Sequence, residues 1–253
     1  MIREVVRDLK AIGELLRHSL SSSRKLRPAE RTIEYHTPNL SSRWELSFVN
    51  NTEKTIYEKM VSEFDAGDVF YDVGANIGFY TCMFSDKASR VYSFEPNEYA
   101  VNLLEKNINT NSLTNVEIKQ VAASDENTSK ELAKVPSGSV LGTAKVMEKE
   151  KGDIDAKRID DMYNREGIEL PDIVKIDVEG HEKEVIKGME RVMYEGSPVI
   201  YVESHNEHSR LEELLESFGY NYEKLNRRLE GNVFYRAEPN GSIESPDSMG
   251  IDR

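Results

Sequence analysis

Val69-Phe70-Tyr71-Asp72-Val73-Gly74-Ala75-Asn76-Ile77-Gly78-Phe79-Tyr80-Thr81 is an apolar, aromatic-rich run that ends in an acid, turns through two glycines and opens into helix-like sequence. That order is the first β-strand, tight turn and helix start of a nucleotide-binding α/β sheet. Gly74 and Gly78 let the backbone approach a ligand where a side chain would collide. The helix start behind them offers unpaired N–H groups and a positive dipole end. Asp72, at the carboxyl end of the strand, can accept a hydrogen bond from a positively charged ligand group. A short glycine pattern alone would also suit a ligand-free turn, so its context decides.

Downstream, Arg90-Val91-Tyr92-Ser93-Phe94-Glu95-Pro96-Asn97 reads as a second strand ending in an acid, with Pro96 closing further strand pairing. Glu95 lies 23 residues beyond Asp72, near the offset of about 20 at which an acid reaches a bound ribose. A helix over 97–109 runs out through Asn107, Asn109 and Asn111, and a third strand, Val116–Val121, ends in Ala122-Ala123-Ser124-Asp125. The small residues leave room for a flat ring, and Asp125 is either an acceptor for its amine or a surface acid. Residues 126–156 are polar and poorly patterned, and a connection of that length reads as a β-hairpin or lid over the site.

Order returns with a short helix near 157–165 and then Asp172-Ile173-Val174-Lys175-Ile176-Asp177-Val178-Glu179-Gly180-His181-Glu182. Ile173, Val174 and Ile176 mark a buried fourth strand, and Gly180 starts a helix expected to run to Tyr194. Lys175 is unusual in such a strand and needs a partner. Pro198–His205 makes a fifth strand ending in Glu203 and His205. If the two strands are neighbours, Asp177, Glu179, His181, Glu203 and His205 converge at the edge where open α/β sheets bind ligands. Helix 207–218, strand 220–225, a turn at 229–232 and strand 233–236 close the domain. No internal repeat is present.

The N-terminal side is different in character. Residues 2–20 place Ile2, Val5, Val6, Leu9, Ile12, Leu16 and Leu20 at helical spacing with Arg3, Arg7, Lys10 and Arg17 between them. This basic amphipathic helix either packs on the domain or lies on anionic lipid. It lacks the apolar core and cleavage site of a secretory signal. Ser21-Ser22-Ser23 and Arg24–Pro28 read as a flexible join, and Thr32–Asn50 as a hairpin or cap before a helix at 53–64. The expected organisation is a helix and linker over 1–31, the main domain over 32–236 and a disordered acidic tail over 237–253.

With 253 residues, the chain is long enough for one α/β domain with a continuous core. The net charge is −13, split as +4 over residues 1–31 and −17 beyond, which argues against nucleic acid as a partner. Cys82 is the sole cysteine, so neither an internal disulfide nor a zinc-type cysteine set can form, and a reducing, cytoplasmic setting fits. No run approaches the ~18 apolar residues of a membrane span.

Taken together, Asp72–Gly78, Glu95-Pro96-Asn97, the Asn107/Asn111 pair and Lys175–Glu182 resemble the FkbM-type methyltransferases over roughly residues 55–236. The resemblance implies a class I S-adenosyl-L-methionine (SAM)-dependent fold, an α/β sheet of seven strands in the order 3-2-1-4-5-7-6 with helices on both faces. It implies that Asp72, Gly74, Asn76 and Gly78 hold the methionine part of SAM, that Glu95 holds its ribose and that Asp125 lies near adenine. It also implies O-methylation of a small-molecule or glycan acceptor; separately, docking of residues 1–24 to a membrane would suit a lipid-linked glycan. The shared pattern does not reach residues 1–31 or the tail.

Methyl transfer from a sulfonium needs the attacking oxygen, methyl carbon and sulfur in line, so positioning is the main task. A hydroxyl acceptor also needs its proton removed. His181 or His205 suits that role, as does Asp177 or Glu203 if burial raises its pKa. An Asp/Glu/His group could instead hold Mg²⁺ or Mn²⁺ on a sugar diol, and the metal-free base is the preferred expectation. A uronic-acid carboxylate would need no base. A nicotinamide-dependent oxidoreductase fits less well, because Asn76 replaces the middle glycine of Gly-x-Gly-x-x-Gly. Its Tyr-x-x-x-Lys match at Tyr220 and Lys224 falls in strand-like sequence, where four residues span ~13 Å. The same pattern would also suit a non-sugar natural product as acceptor. A catalytically silent binding protein fits least, since it has no reason to retain a complete cofactor cradle.

Overall fold

The computed structural model describes residues 23–26, 32–37, 54–132, 146–147, 154–205, 208–227 and 231–241. The expected helix at 2–20, the second alternating run at 44–49 and most of the C-terminal tail lie outside those residues. Next to the middle of the sheet is β3 (Val69–Val73), buried along its whole length. It lies between β4 (Arg90–Phe94) and β10 (Ile173–Ile176), both parallel to it. Beyond β4 comes β5 (Val116–Lys119), and beyond β10 come β11 (Val199–Ser204), β13 (Val233–Pro239) and β12 (Tyr220–Arg227). Counted along the chain, these seven strands stand in the order 3-2-1-4-5-7-6, and β13 pairs antiparallel with both neighbours.

Strand alternation divides the core in two. Val69, Tyr71 and Val73 point to the face covered by α4 (Ile159–Glu166), α5 (Glu182–Lys187), α6 (Glu190–Gly196) and α7 (His208–Ser217). Phe70 points the other way, under α1 (Lys54–Glu63), α2 (Phe79–Phe84) and α3 (Glu98–Thr110). Aromatic rings lock the second layer, with Phe64, Phe70 and Phe84 in mutual contact at 4.6–5.6 Å between centroids. Cys82 is buried there as a free thiol.

In several places tertiary pairing overrides what local sequence suggests. Ser23–Leu26 is not a flexible join but strand β1, antiparallel to β2 (Ile33–His36). Ser23 Oγ donates to Glu34 Oε1 at 2.6 Å, and Lys25 pairs with Glu34. Ala237–Pro239, expected in the tail, continues β13: Ala237 pairs with both Ile200 and Tyr222, and Glu238 and Pro239 pair with Asn221 and Tyr220 of β12. The third strand stops at Lys119, and Ala122-Ala123 becomes β6 of a smaller sheet. That sheet has the order β6-β9-β7-β8, with β7 at Thr128–Leu132, β8 at Val146–Met147 and β9 at Ile154–Lys157. The helix expected from Gly180 to Tyr194 is two, α5 and α6. Between them a Cβ on Gly188 would sit 1.9 Å from the Ser124 carbonyl oxygen, so the break lets the chain pass close to β6. Among the described residues no helix is long and apolar enough to cross a membrane.

Candidate active site

The glycine turn after β3 is held from both sides. Gly74 N–H and Ala75 N–H both donate to the Phe94 carbonyl, at 2.9 and 3.1 Å. Gly74 has φ +78°, and a Cβ there would lie 1.9 Å from the Asp177 carbonyl oxygen, so the turn is glycine because β10 presses against it. Asn76 also adopts the left-handed conformation, with φ 51°, and its N–H donates to Glu95 Oε2 at 2.9 Å. Glu95 Oε1 accepts the Asn97 N–H at 2.9 Å, so one carboxylate ties the turn to the start of α3. Burial pushes the Glu95 carboxyl up to about 7, outweighing these two N–H donors.

Asp72 is fully buried. Its Oδ2 accepts from the Thr81 N–H at 2.9 Å and the Thr81 hydroxyl at 2.6 Å, and that hydroxyl contacts Ser93 Oγ at 2.8 Å. Its Oδ1 lies 3.7 Å from Lys175 Nζ. Asp72 therefore anchors α2 and faces a lysine beneath the turn. Burial pushes its carboxyl up, against the pull of Lys175 and Thr81.

A second set of charges gathers where β10 and β11 end side by side. His205 Nε2 lies 3.4 Å from Glu179 Oε2, 3.7 Å from Asp177 Oδ1 and 3.8 Å from Glu203 Oε1. Its Nδ1 lies 2.7 Å from Glu182 Oε1, an atom that also accepts the Gly180 N–H at 2.7 Å. Burial opposes the imidazolium charge, but the Glu182 hydrogen bond and the charges of Asp177, Glu179 and Glu203 prevail and raise His205 to about 9. Glu203, 1% exposed, is pushed up to about 8 by burial and then by Asp177, with His205 opposing. The side chains of Asp177 and Glu179 are each 27% exposed, so these are the accessible carboxylates. Asp177, Glu203 and His205 also offer one ligand atom each, all within 4.8 Å of one another.

Of the five residues expected at this mouth, Asp177, Glu179, Glu203 and His205 come together, while His181 turns away. Its Nε2 lies 3.0 Å from Ser124 Oγ and its Nδ1 3.6 Å from Glu184. Ser124 in turn lies 3.3 Å from Asp125 Oδ1, so His181 belongs with the end of β6. The residue missed is Glu182, its neighbour, which takes the place expected of His181. Asn232, whose Nδ2 donates to Glu203 Oε1 at 3.1 Å, had no sequence signal at all. Tyr220 and Lys224 do not act together: Tyr220 donates to the Met193 carbonyl and Lys224 pairs with Glu212.

A 3-2-1-4-5-7-6 sheet, an acid at each of the first two strand ends and a glycine turn between them define the class I SAM-dependent methyltransferase fold. The chain belongs to the methyltransferase FkbM domain family, whose model matches residues 72–222. The hexuronic acid methyltransferase AglP of Haloferax volcanii is 34% identical over 156 residues, which cover 60% of this chain and 62% of that protein. The chain thus spans less than two thirds of that relative's length. Among solved structures, a methyltransferase FkbM from Methylobacillus flagellatus KT superposes with a TM-score of 0.50 at 17% identity, covering 93% of this chain and 60% of the other. That likeness supports the fold.

Proposed function

We propose that this protein is a SAM-dependent O-methyltransferase whose acceptor is a saccharide. The observation that carries the reading is the pairing of a carboxylate-braced glycine turn with an acidic mouth at the ends of the next two strands, β10 and β11. Around Lys175 and His205 stand Asp72, Asp177, Glu179, Glu182 and Glu203, five carboxyls to two cations. The accessible Asp177 and Glu179 side chains suit a sulfonium cation and repel the pyrophosphate of a nicotinamide dinucleotide. The residues present fit SAM, with the Gly74–Gly78 turn taking its methionine part, Glu95 its ribose and the Ser124–Asp125 end its adenine. When bound, SAM supplies an electrophilic methyl group.

The protein's own part is to hold the acceptor in line and receive its proton. His205, held protonated by its carboxylates, is not a free base at neutral pH. Asp177 is the better placed group, accessible and fixed between Lys175 and His205. His205 then works by orienting Asp177 and Glu179. Asp177, Glu203 and His205 are also the residues that would hold a divalent cation on a sugar diol, and metal-free proton transfer remains the preferred reading. The likeness to a hexuronic acid methyltransferase supports a uronic-acid sugar as the substrate class. A lipid-linked form of that sugar would bring the basic N-terminal segment to the membrane surface.

Calorimetry with SAM and with NAD tests the donor, and transfer of labelled methyl to a glycan extract tests the reaction. SAM binding without NAD binding, together with labelled glycan, is the expected result. Transfer that survives dialysis against a chelator supports the metal-free route, and transfer restored only by Mg²⁺ or Mn²⁺ replaces it with the cation route. Binding of NAD but not SAM would overturn the whole reading.

A further inference from the structure

Lys175 is 3% exposed, in the middle strand of the sheet, in register with Asp72 on β3 and Tyr201 on β11. A buried ammonium is costly, and an apolar side chain of similar length would fill the same space more cheaply. Its contacts explain what the charge does. Nζ lies 3.3 Å from the Gly74 carbonyl oxygen, 3.7 Å from Asp72 Oδ1 and 3.6 Å from Asp177 Oδ2. The Tyr80 ring lies alongside, 5.0 Å from the ammonium to its centroid. Burial disfavours the charge, but Asp177, Asp72 and Glu203 hold it above the ordinary lysine value.

The Gly74–Ala75 peptide is the informative partner. Its N–H end is fixed on the Phe94 carbonyl at 3.1 Å, and its C=O end on Lys175 at 3.3 Å. Glycine leaves such a peptide free to rotate, so a clamp at both ends restores the rigidity that the glycine gives up. The same ammonium faces Asp177, whose other oxygen faces His205. Lys175 thus touches both the turn and the acidic mouth.

We propose that Lys175 is a positioning residue for the methyl donor, clamping the Gly74 carbonyl so that the turn stands in fixed relation to Asp177. The inference rests on the SAM reading, and the test separates the two. S-adenosylhomocysteine binding to the full-length chain is measured by calorimetry for wild type, K175M, D72N and D72N/K175M, each with its thermal unfolding midpoint. K175M is expected to bind at least tenfold more weakly than wild type. The double variant, which removes a matched pair of charges, is expected to recover the stability lost in K175M but not the affinity. A purely structural lysine predicts the opposite, a double variant that binds as D72N does. Binding by K175M within twofold of wild type would also overturn the assignment. Should K175M not fold, the double variant carries the comparison with D72N. If wild type itself does not bind, the donor reading fails and this inference falls with it.

Discussion

Glu95 spends both oxygens on backbone N–H groups, yet each carboxylate oxygen has a second lone pair for a ribose hydroxyl. Only the ionised form can accept from both hydroxyls at once, and burial has moved its ionisation to about 7. S-adenosylhomocysteine affinity is therefore expected to fall by up to about tenfold per pH step below that value. Calorimetry at pH 6, 7 and 8 reads it, and a flat profile would remove Glu95 from the ribose. Stability runs the other way. A carboxyl whose folded pKa is raised contributes stability at low pH, which is lost as pH rises through about 7. Replacing Glu95 by Ala should abolish donor binding with the fold retained. At the other mouth, D177N keeps the shape of the side chain and loses its capacity to take a proton. Turnover is expected to drop by about 10² or more while donor affinity is retained. Equal loss of both would make Asp177 a binding group instead.

At the scale of elements, α3 shows why asparagines recur along one helix face. Asn111 accepts the Glu34 N–H and donates to the Glu34 carbonyl, at 3.0 and 2.8 Å, so its amide stands in for a neighbouring strand. One turn earlier, Asn107 accepts the His36 N–H at 2.6 Å and donates to the Ile77 carbonyl at 2.7 Å. One buried amide thus joins β2 to the glycine turn. N107A leaves an N–H and a C=O buried without partners and is expected to cost about 2–4 kcal/mol, read by urea unfolding. A loss below about 0.5 kcal/mol would mean that water replaces the amide. These contacts also show what the sequence could and could not display. β3, β4, β10 and β11 are legible because each apolar run ends at or just before an acid, Asp72, Glu95, Asp177 and Glu203. β1 is not, because Ser23–Leu26 is a strand through its pairing with β2, which Asn107 and Asn111 hold in turn. The exchange of His181 for Glu182 was hidden for a related reason. Glu179 and Gly180 are both left-handed, with φ 55° and 100°, and such a turn brings Glu182 rather than His181 to His205. No periodicity announces it.

At the scale of the molecule, charge sets two expectations. An acidic protein with an acidic mouth should bind a uronate-containing glycan better as salt screens the repulsion, until screening reaches the sulfonium site as well. Acceptor KM is expected to fall between about 0.05 and 0.3 M NaCl for a hexuronic acid glycan and to stay level for a neutral one. Identical salt responses would argue that the acceptor's carboxylate does not approach the mouth. The second expectation concerns residues 1–31, whose +4 stands against −17 in the rest of the chain. Because β1 begins at Ser23 and pairs with β2, the informative truncation ends at Ser22 and leaves the hairpin whole. Donor binding should be unchanged in that variant, since the contacts of the glycine turn and of Glu95 arise elsewhere. Residues 1–22 carry four basic and three acidic side chains, and association with vesicles containing anionic lipid should fall sharply because their apolar repeat is lost with them. Full-length and truncated chains that sediment equally with those vesicles would sink the membrane role. A truncated chain with a lower unfolding midpoint and unaltered vesicle binding would place the basic segment on the domain instead.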